Sequence, residues 1–202
     1  SQETISRKDF NLPEEGFIFT CFNNNYKITP REFNIWMRLL KEVKESVLWL
    51  YGSNKWSISN LKKETLRRDI DPQRLIFANR MPLRRHLARY SLGDLAIDTF
   101  NCNGHTTTSD ALWAGLPVLT KVGGSFSSRV SASLLTFTGL AELITSNEKE
   151  YEEKALNIAN NPIEIKRLKS KLANSRETSS LYNSALFTRD LESIFKELVR
   201  NL

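Results

Sequence analysis

The chain has 202 residues, of which 40% are hydrophobic and 26% charged, with a formal net charge of +6. This length allows one sizeable core or two small ones, and the composition is that of an ordinary soluble globular protein rather than of a membrane-embedded bundle. The positive balance favours anionic ligands. It does not specify nucleic acid: basic residues such as Lys62, Lys63, Arg67 and Arg68 fall on a solvated helical face, and no aromatic-and-basic RNA-binding module accompanies them.

Apolar runs and helical patterns alternate along the chain. GFIFTCFN (16–23) predicts a buried strand. Thr29, Pro30 and Glu32 form a capping-box pattern with proline at the first helical position, ahead of a helix with Phe33, Trp36, Leu39, Leu40 and Val43 on one stripe. SVLWLY (46–51) is the next strand, and Ser57 or Ser59 is the expected cap of a helix ending near Leu66. RLIFA (74–78) is a strand, Pro82 opens a helix, and DLAID (94–98) is a strand. After the loop CNGHTTTSD, a helix runs to Trp113 and stops at Gly115. PVLT (117–120) is a strand, residues 127–135 are helical, and LAELI (140–144) is a short strand or a helical turn. From Asn147 onward the pattern is only helical.

Short strands separated by helices predict a Rossmann-like α/β domain with a mostly parallel sheet, closed by C-terminal helices. The polar opening residues do not resemble a secretory signal, and the longest apolar run is too short to span a bilayer, so no membrane partner is expected. Cys21 and Cys102 form no metal or redox motif, which suits free thiols and a cytoplasmic location.

In such a sheet, ligands bind beyond the carboxyl ends of the strands. Gly104, His105, Thr106 and Thr107 lie there, at a helix start whose free amides and dipole suit a phosphate. Asp110, one turn further, could accept two hydrogen bonds from a ribose diol. Thr107 and Asp110 also fit a simple capping box, and both readings suit the local pattern. Two more polar clusters follow strands: Asn23 to Lys27, whose lysine could reach a terminal phosphate, and Met81 to Arg89, where His86 and Arg89 share a helix face.

FNNNYKITP, SVLWL, DPQRLIFANRMPLRRHLARY, LAIDTFNCNGHTTTSDALWAGLPVLT and SRVSASLL together resemble the protein O-linked N-acetylglucosamine transferase family, at the C-terminal half of its GT-B catalytic region. The sister family that transfers fucose from GDP-fucose shares much of the pattern. The resemblance implies a nucleotide-sugar donor, UDP-N-acetylglucosamine, and an acceptor protein glycosylated on serine or threonine hydroxyls. It places Asn24 and Lys27 at the diphosphate, with Lys27 stabilising the leaving nucleotide. The backbone at Met81 together with Arg89 meets the uracil, and His86 packs near base and sugar. His105, Thr106 and Thr107 hold the diphosphate, Asp110 the ribose, and Cys102 lines the sugar pocket. No cofactor or metal is required. One departure stands out: Leu83 occupies the place of a family lysine, which also leaves room for a noncatalytic nucleotide-sugar-binding module.

Asp69-Ile70-Asp71 spells a D-x-D, but it precedes Pro72 and belongs to the opposite sheet edge, so it is read as a turn. A GT-B enzyme needs a second Rossmann-like domain, and this family carries tetratricopeptide repeats; neither is visible here. Residues 1–202 are therefore expected to form one donor-binding domain, inactive alone. Residues 181–202 would be a C-terminal helix that can cross to a missing N-terminal domain. Its apolar stripe is Phe187, Leu191, Ile194, Phe195, Leu198 and Leu202, part of which is expected to pack on its own domain.

Overall fold

The computed structural model describes residues 5–200. Six strands form one all-parallel sheet: β1 (Ile18–Cys21), β2 (Val47–Tyr51), β3 (Leu75–Ala78), β4 (Leu95–Ile97), β5 (Val118–Lys121) and β6 (Ile144–Thr145), in the order β3-β2-β1-β4-β5-β6. The helices between them are α1 (Pro30–Glu42), α2 (Lys55–Leu66), α3 (Leu83–Arg89), α4 (Thr106–Trp113) and α5 (Val130–Phe137), followed by α6 (Glu148–Ala159), α7 (Pro162–Thr178) and α8 (Ser184–Arg200). This is the Rossmann-like architecture that the alternating pattern predicts.

β1 is central and buried along its whole length, which is why it reads as an unbroken apolar run rather than an alternating one. The α1 stripe buries Phe33, Trp36, Leu39 and Leu40. Its start is fixed by the predicted capping box, in which the backbone N–H of Thr29 donates to the Glu32 carboxylate at 2.8 Å. On α6, Tyr151 packs into the core, where Trp36 Nε1 donates to its hydroxyl at 3.3 Å, while Arg38 and Glu152 pair at the surface. Helix α6 thus locks onto α1 from across the sequence.

α4 ends as predicted. Gly115 takes φ +89°, and the amides of Gly115 and Leu116 turn back to Leu112 and Ala111. Three local expectations are corrected. Asn54, not Ser57 or Ser59, caps α2, since its side chain accepts from the Ser57 amide at 2.9 Å and the helix starts earlier. The helix expected over 127–135 begins as a 3-10 turn at Phe126–Ser128 and becomes α-helical only at Val130. LAELI is both a helical turn (Ala141–Leu143) and the edge strand β6.

The D-x-D segment is a turn ahead of β3: Asp69 has φ +58°, and Asp71 caps the 3-10 turn that follows by accepting from the Gln73 amide. Among the described residues no helix is long and apolar enough to cross a membrane. α8 differs from expectation. None of its side chains is buried, and Phe187, Leu191, Ile194, Phe195 and Leu198 stay exposed, whereas part of this stripe was expected to pack on the domain; Leu202 lies outside the described residues.

Candidate functional site

The strand order reverses between β1 and β4, and this switch point opens a crevice at the carboxyl edge of the sheet. The loops after β1 and β4 border it and are tied together. Asn23 Nδ2 donates to Asp98 Oδ1 at 3.0 Å and to Thr99 Oγ1 at 2.9 Å, while Asn23 Oδ1 accepts from the Thr107 hydroxyl. Lys27 Nζ donates to the Asn103 carbonyl oxygen at 2.7 Å. An ammonium has three protons, so two of them stay available for a ligand.

The start of α4 is open to an anion. His105 is the N-cap residue, and its side chain makes no capping hydrogen bond. The capping box of Thr107 and Asp110 does not form, because the helix starts at Thr106 and the Thr107 hydroxyl is drawn to Asn23 instead. Among the described residues, the amides of His105, Thr106 and Thr107 meet no acceptor. They sit at the positive end of the helix dipole. The His105 ring lies edge-on to Phe126, with Nε2 3.4 Å from the Ser127 carbonyl.

Beside these loops lies a cleft of about 280 Å3, lined by Phe22, Asn24, Tyr51, Arg80, Met81, His86, Arg89 and Thr107. Arg89 closes it from behind and is only 1% exposed. Its guanidinium stacks 4.4 Å over Phe22, gives Nη1 to the Asn79 carbonyl at 2.7 Å, and sets Nη2 2.5 Å from His86 Nδ1. Arginine has no lone pair to offer, so Nδ1 accepts and the imidazole proton resides on Nε2. That nitrogen faces Asp110 Oδ2 at 3.9 Å. Burial first, and then the Arg89 charge, push the His86 pKa down to about 4, so the ring is neutral and its approach to Asp110 is not an ion pair. Burial also raises the Asp110 carboxyl.

The cleft therefore gathers Asn24, Met81, His86, Arg89 and Thr107, with Asp110 joined to it through His86. Lys27, Cys102 and His105 stand on the adjoining loops around Asn103, and Thr106 opens α4, none of them in the cleft wall. Cys102 is half-buried and unpaired. Leu83 is 65% exposed, and Arg84 lines a different groove with Trp113 and Arg176; Arg80 is the additional cation on the cleft rim. Sequence reasoning missed Phe22, Arg80 and Asp98. Phe22 reads as one more strand residue, but the carboxylate of Asp98 at the end of an apolar central strand was a usable signal.

The model of glycosyl transferase family 41 matches residues 2–191. The chain is 38% identical over 192 residues to the probable UDP-N-acetylglucosamine–peptide N-acetylglucosaminyltransferase SEC of Arabidopsis thaliana, covering 94% of this chain and 20% of that protein. It is 32% identical over 193 residues to the UDP-N-acetylglucosamine–peptide N-acetylglucosaminyltransferase of Caenorhabditis elegans, covering 96% of this chain and 17% of that one. It thus spans about one fifth of the length of these curated relatives. Among solved structures, a mutant of the Thermobaculum terrenum O-GlcNAc transferase matches with a TM-score of 0.87 and 30% identity, over 92% of this chain and 36% of that one. Anabaena HepE, solved with UDP and glucose, shares the fold at a TM-score of 0.64 and 15% identity, over 94% of this chain and 51% of that one. A family match over nearly the whole chain, together with a close structural counterpart, establishes that the chain belongs to glycosyl transferase family 41.

Proposed function

We propose that this chain is the donor-binding half of a protein O-GlcNAc transferase, which moves N-acetylglucosamine from UDP-N-acetylglucosamine to serine or threonine hydroxyls. The pyrophosphate sits against the amides of His105, Thr106 and Thr107, with the Lys27 ammonium and Asn24 beside it. The uracil lies in the cleft at Met81 and His86, over Arg89. Asp110 accepts from the ribose diol, and the sugar extends toward Cys102. In the transfer, the bond from the sugar C1 to the β-phosphate oxygen breaks and a bond from C1 to the acceptor oxygen forms. The acceptor's proton is released to water, and negative charge grows on the departing UDP. Lys27 and the α4 amides meet that charge, so no metal is required of this half. Fixed donors of this kind act where transition-state charge develops, and losing one costs about 100- to 1,000-fold in rate.

One observation carries this reading: Lys27 is bonded to the loop that leads directly into an uncapped helix start, at the switch point of the sheet. The sugar-transfer step needs a second Rossmann-like domain to complete the cleft, and tetratricopeptide repeats to present the acceptor. We assign both to the part of the protein preceding this chain, with α8 crossing back to that domain. The two free cysteines suit a reducing, cytoplasmic setting. A noncatalytic nucleotide-sugar-binding module is the second reading, favoured by the exposed Leu83 and by Arg84 facing another groove.

Calorimetric titration with UDP tests the assignment. The parent chain binds, and Lys27→Ala and Asp110→Ala each weaken binding about tenfold or more, the effect of losing a charge-assisted hydrogen bond. Unchanged affinity in both variants overturns it. GDP titrated in parallel separates a uridine from a guanosine donor. Peptide glycosylation by the longer protein, lost with Lys27→Ala, separates enzyme from binding module.

A further inference from the structure

Three consecutive amides can grip one pyrophosphate only if the loop ahead of them is held in a single conformation, and α4 carries no cap to do this. Just beneath lies Asp98, at the end of β4 and 3% exposed. Its Oδ1 accepts from the Gly104 amide at 2.7 Å, the Thr99 amide at 2.9 Å and Asn23 Nδ2 at 3.0 Å. Its Oδ2 accepts from Thr120 Oγ1 on β5 at 2.8 Å, and its main-chain oxygen accepts from the Tyr151 hydroxyl on α6 at 3.2 Å. We propose that Asp98 is a positioning residue, whose buried carboxylate gathers the loops after β1 and β4 so that the amides of residues 105–107 face one point beside Lys27. This rests on the nucleotide-sugar reading given above.

The chemistry favours a carboxylate at this position. Ionised, it is acceptor-only with two oxygens, and four donors from three segments converge on it. A buried donor left without a partner is costly, so each of these donors holds the loop against rearrangement. The Gly104 amide is turned inward onto Asp98, whereas the next three amides meet no acceptor among the described residues. Behind it, the Gly104 carbonyl accepts from Ser131 Oγ at 3.0 Å, so the peptide units on both sides of Gly104 are held. Asn23 relays the hold to α4 through the Thr107 hydroxyl, and the Asn103 side chain relays it through the Thr99 carbonyl at 2.8 Å. Asp98 touches no part of the proposed ligand site; it acts through Gly104 and Asn23.

UDP titration and thermal melting of the 202-residue chain, with three variants, provide the test. Asn23→Ala cuts the arm to the β1 loop, Thr120→Val cuts only the arm to β5, and Asp98→Ala removes all of them. If Asp98 orients the loops, Asn23→Ala weakens UDP at least tenfold, whereas Thr120→Val stays within about twofold of the parent, even where the two lose similar melting temperature. Asp98→Asn keeps Oδ1 as an acceptor for Gly104 and restores much of the affinity that Asp98→Ala loses. UDP affinity that tracks melting temperature alike in Asn23→Ala and Thr120→Val assigns Asp98 to folding only and overturns the proposal. The Asn23 and Thr120 variants decide the matter if Asp98→Ala does not fold. A parent chain that fails to bind UDP removes the nucleotide reading and this proposal together; a parent that binds while Asn23→Ala binds equally removes this proposal alone.

Discussion

Lys27 Nζ and the Asn103 carbonyl oxygen are 2.7 Å apart, so the ammonium that follows β1 is anchored on the loop that follows β4, two residues ahead of the α4 cap. This bond leaves the charge in place and restricts the long side chain before any ligand arrives. Preorganised charge is what accelerates departure of an anionic leaving group. Lys27→Met in the longer transferase should therefore lower kcat by about 100-fold or more, and lower UDP affinity by less. Initial rates against donor concentration give both numbers. A rise in KM with kcat intact would mean that Lys27 serves only ground-state binding.

Gly104 is required by space rather than by backbone angle. A Cβ there would stand 2.4 Å from Thr108 Oγ1, 2.7 Å from Thr107 Oγ1 and 3.0 Å from Asn23 Oδ1. Those hydroxyls and that amide belong to the network below the α4 amides. Gly104→Ala should destabilise the chain by about 1–3 kcal/mol, the usual cost of overpacking, and weaken UDP binding beyond that loss. Urea unfolding beside calorimetry measures both. A variant with parent stability and parent affinity would show that the loop yields freely.

Much of this site is legible in the sequence. Alternating apolar runs and helical stripes give the parallel sheet, and strand ends then place the polar clusters on one edge, because a βα unit always delivers its loop there. Thr29 and Glu32 fix the start of α1 from sequence alone, since both partners of the box are local. The Thr107 and Asp110 box fails because a distant residue, Asn23, offers Thr107 a better acceptor. Asn54 was overlooked as a cap because serines lay nearer the apolar periodicity. The burial of Arg89 and the neutrality of His86 could not be read from spacing, because both depend on packing against Phe22, which comes from the loop after β1.

His86 makes stability depend on pH. Its pKa is about 4 in the fold against an ordinary 6.5, so the unfolded chain takes up the proton first as pH falls. The resulting stability is fully present above pH 6.5, declines as pH drops toward 4, and is lost below that. The span corresponds to about 3 kcal/mol for a side chain only 18% exposed. Asp98 and Asp110, whose carboxyls burial raises, work in the opposite sense, gaining stability as pH falls through their folded pKa values. The difference between parent and His86→Gln isolates the imidazole. Urea midpoints should converge or cross between pH 6.5 and 4.5, with the parent losing more. Parallel curves would show that His86 titrates normally in the fold.

The exposed stripe on α8 gives a test of domain crossing that needs no ligand. Leu191 and Phe195 are 38% and 57% exposed in this chain, so replacing both with aspartate removes few internal contacts. In the 202-residue chain, Leu191→Asp with Phe195→Asp should leave the melting temperature unchanged and reduce self-association, because the exposed Phe187, Leu191, Ile194, Phe195, Leu198 and Val199 on one helix form an adhesive patch. If α8 lies against the preceding domain in the longer protein, both residues are buried there. Each is then worth about 1.5–3 kcal/mol, and the same double substitution should destabilise the longer protein by several kcal/mol. Calorimetry on both lengths makes the comparison. Equal tolerance in both would mean that α8 projects free of the catalytic region, and that the cleft closes without it.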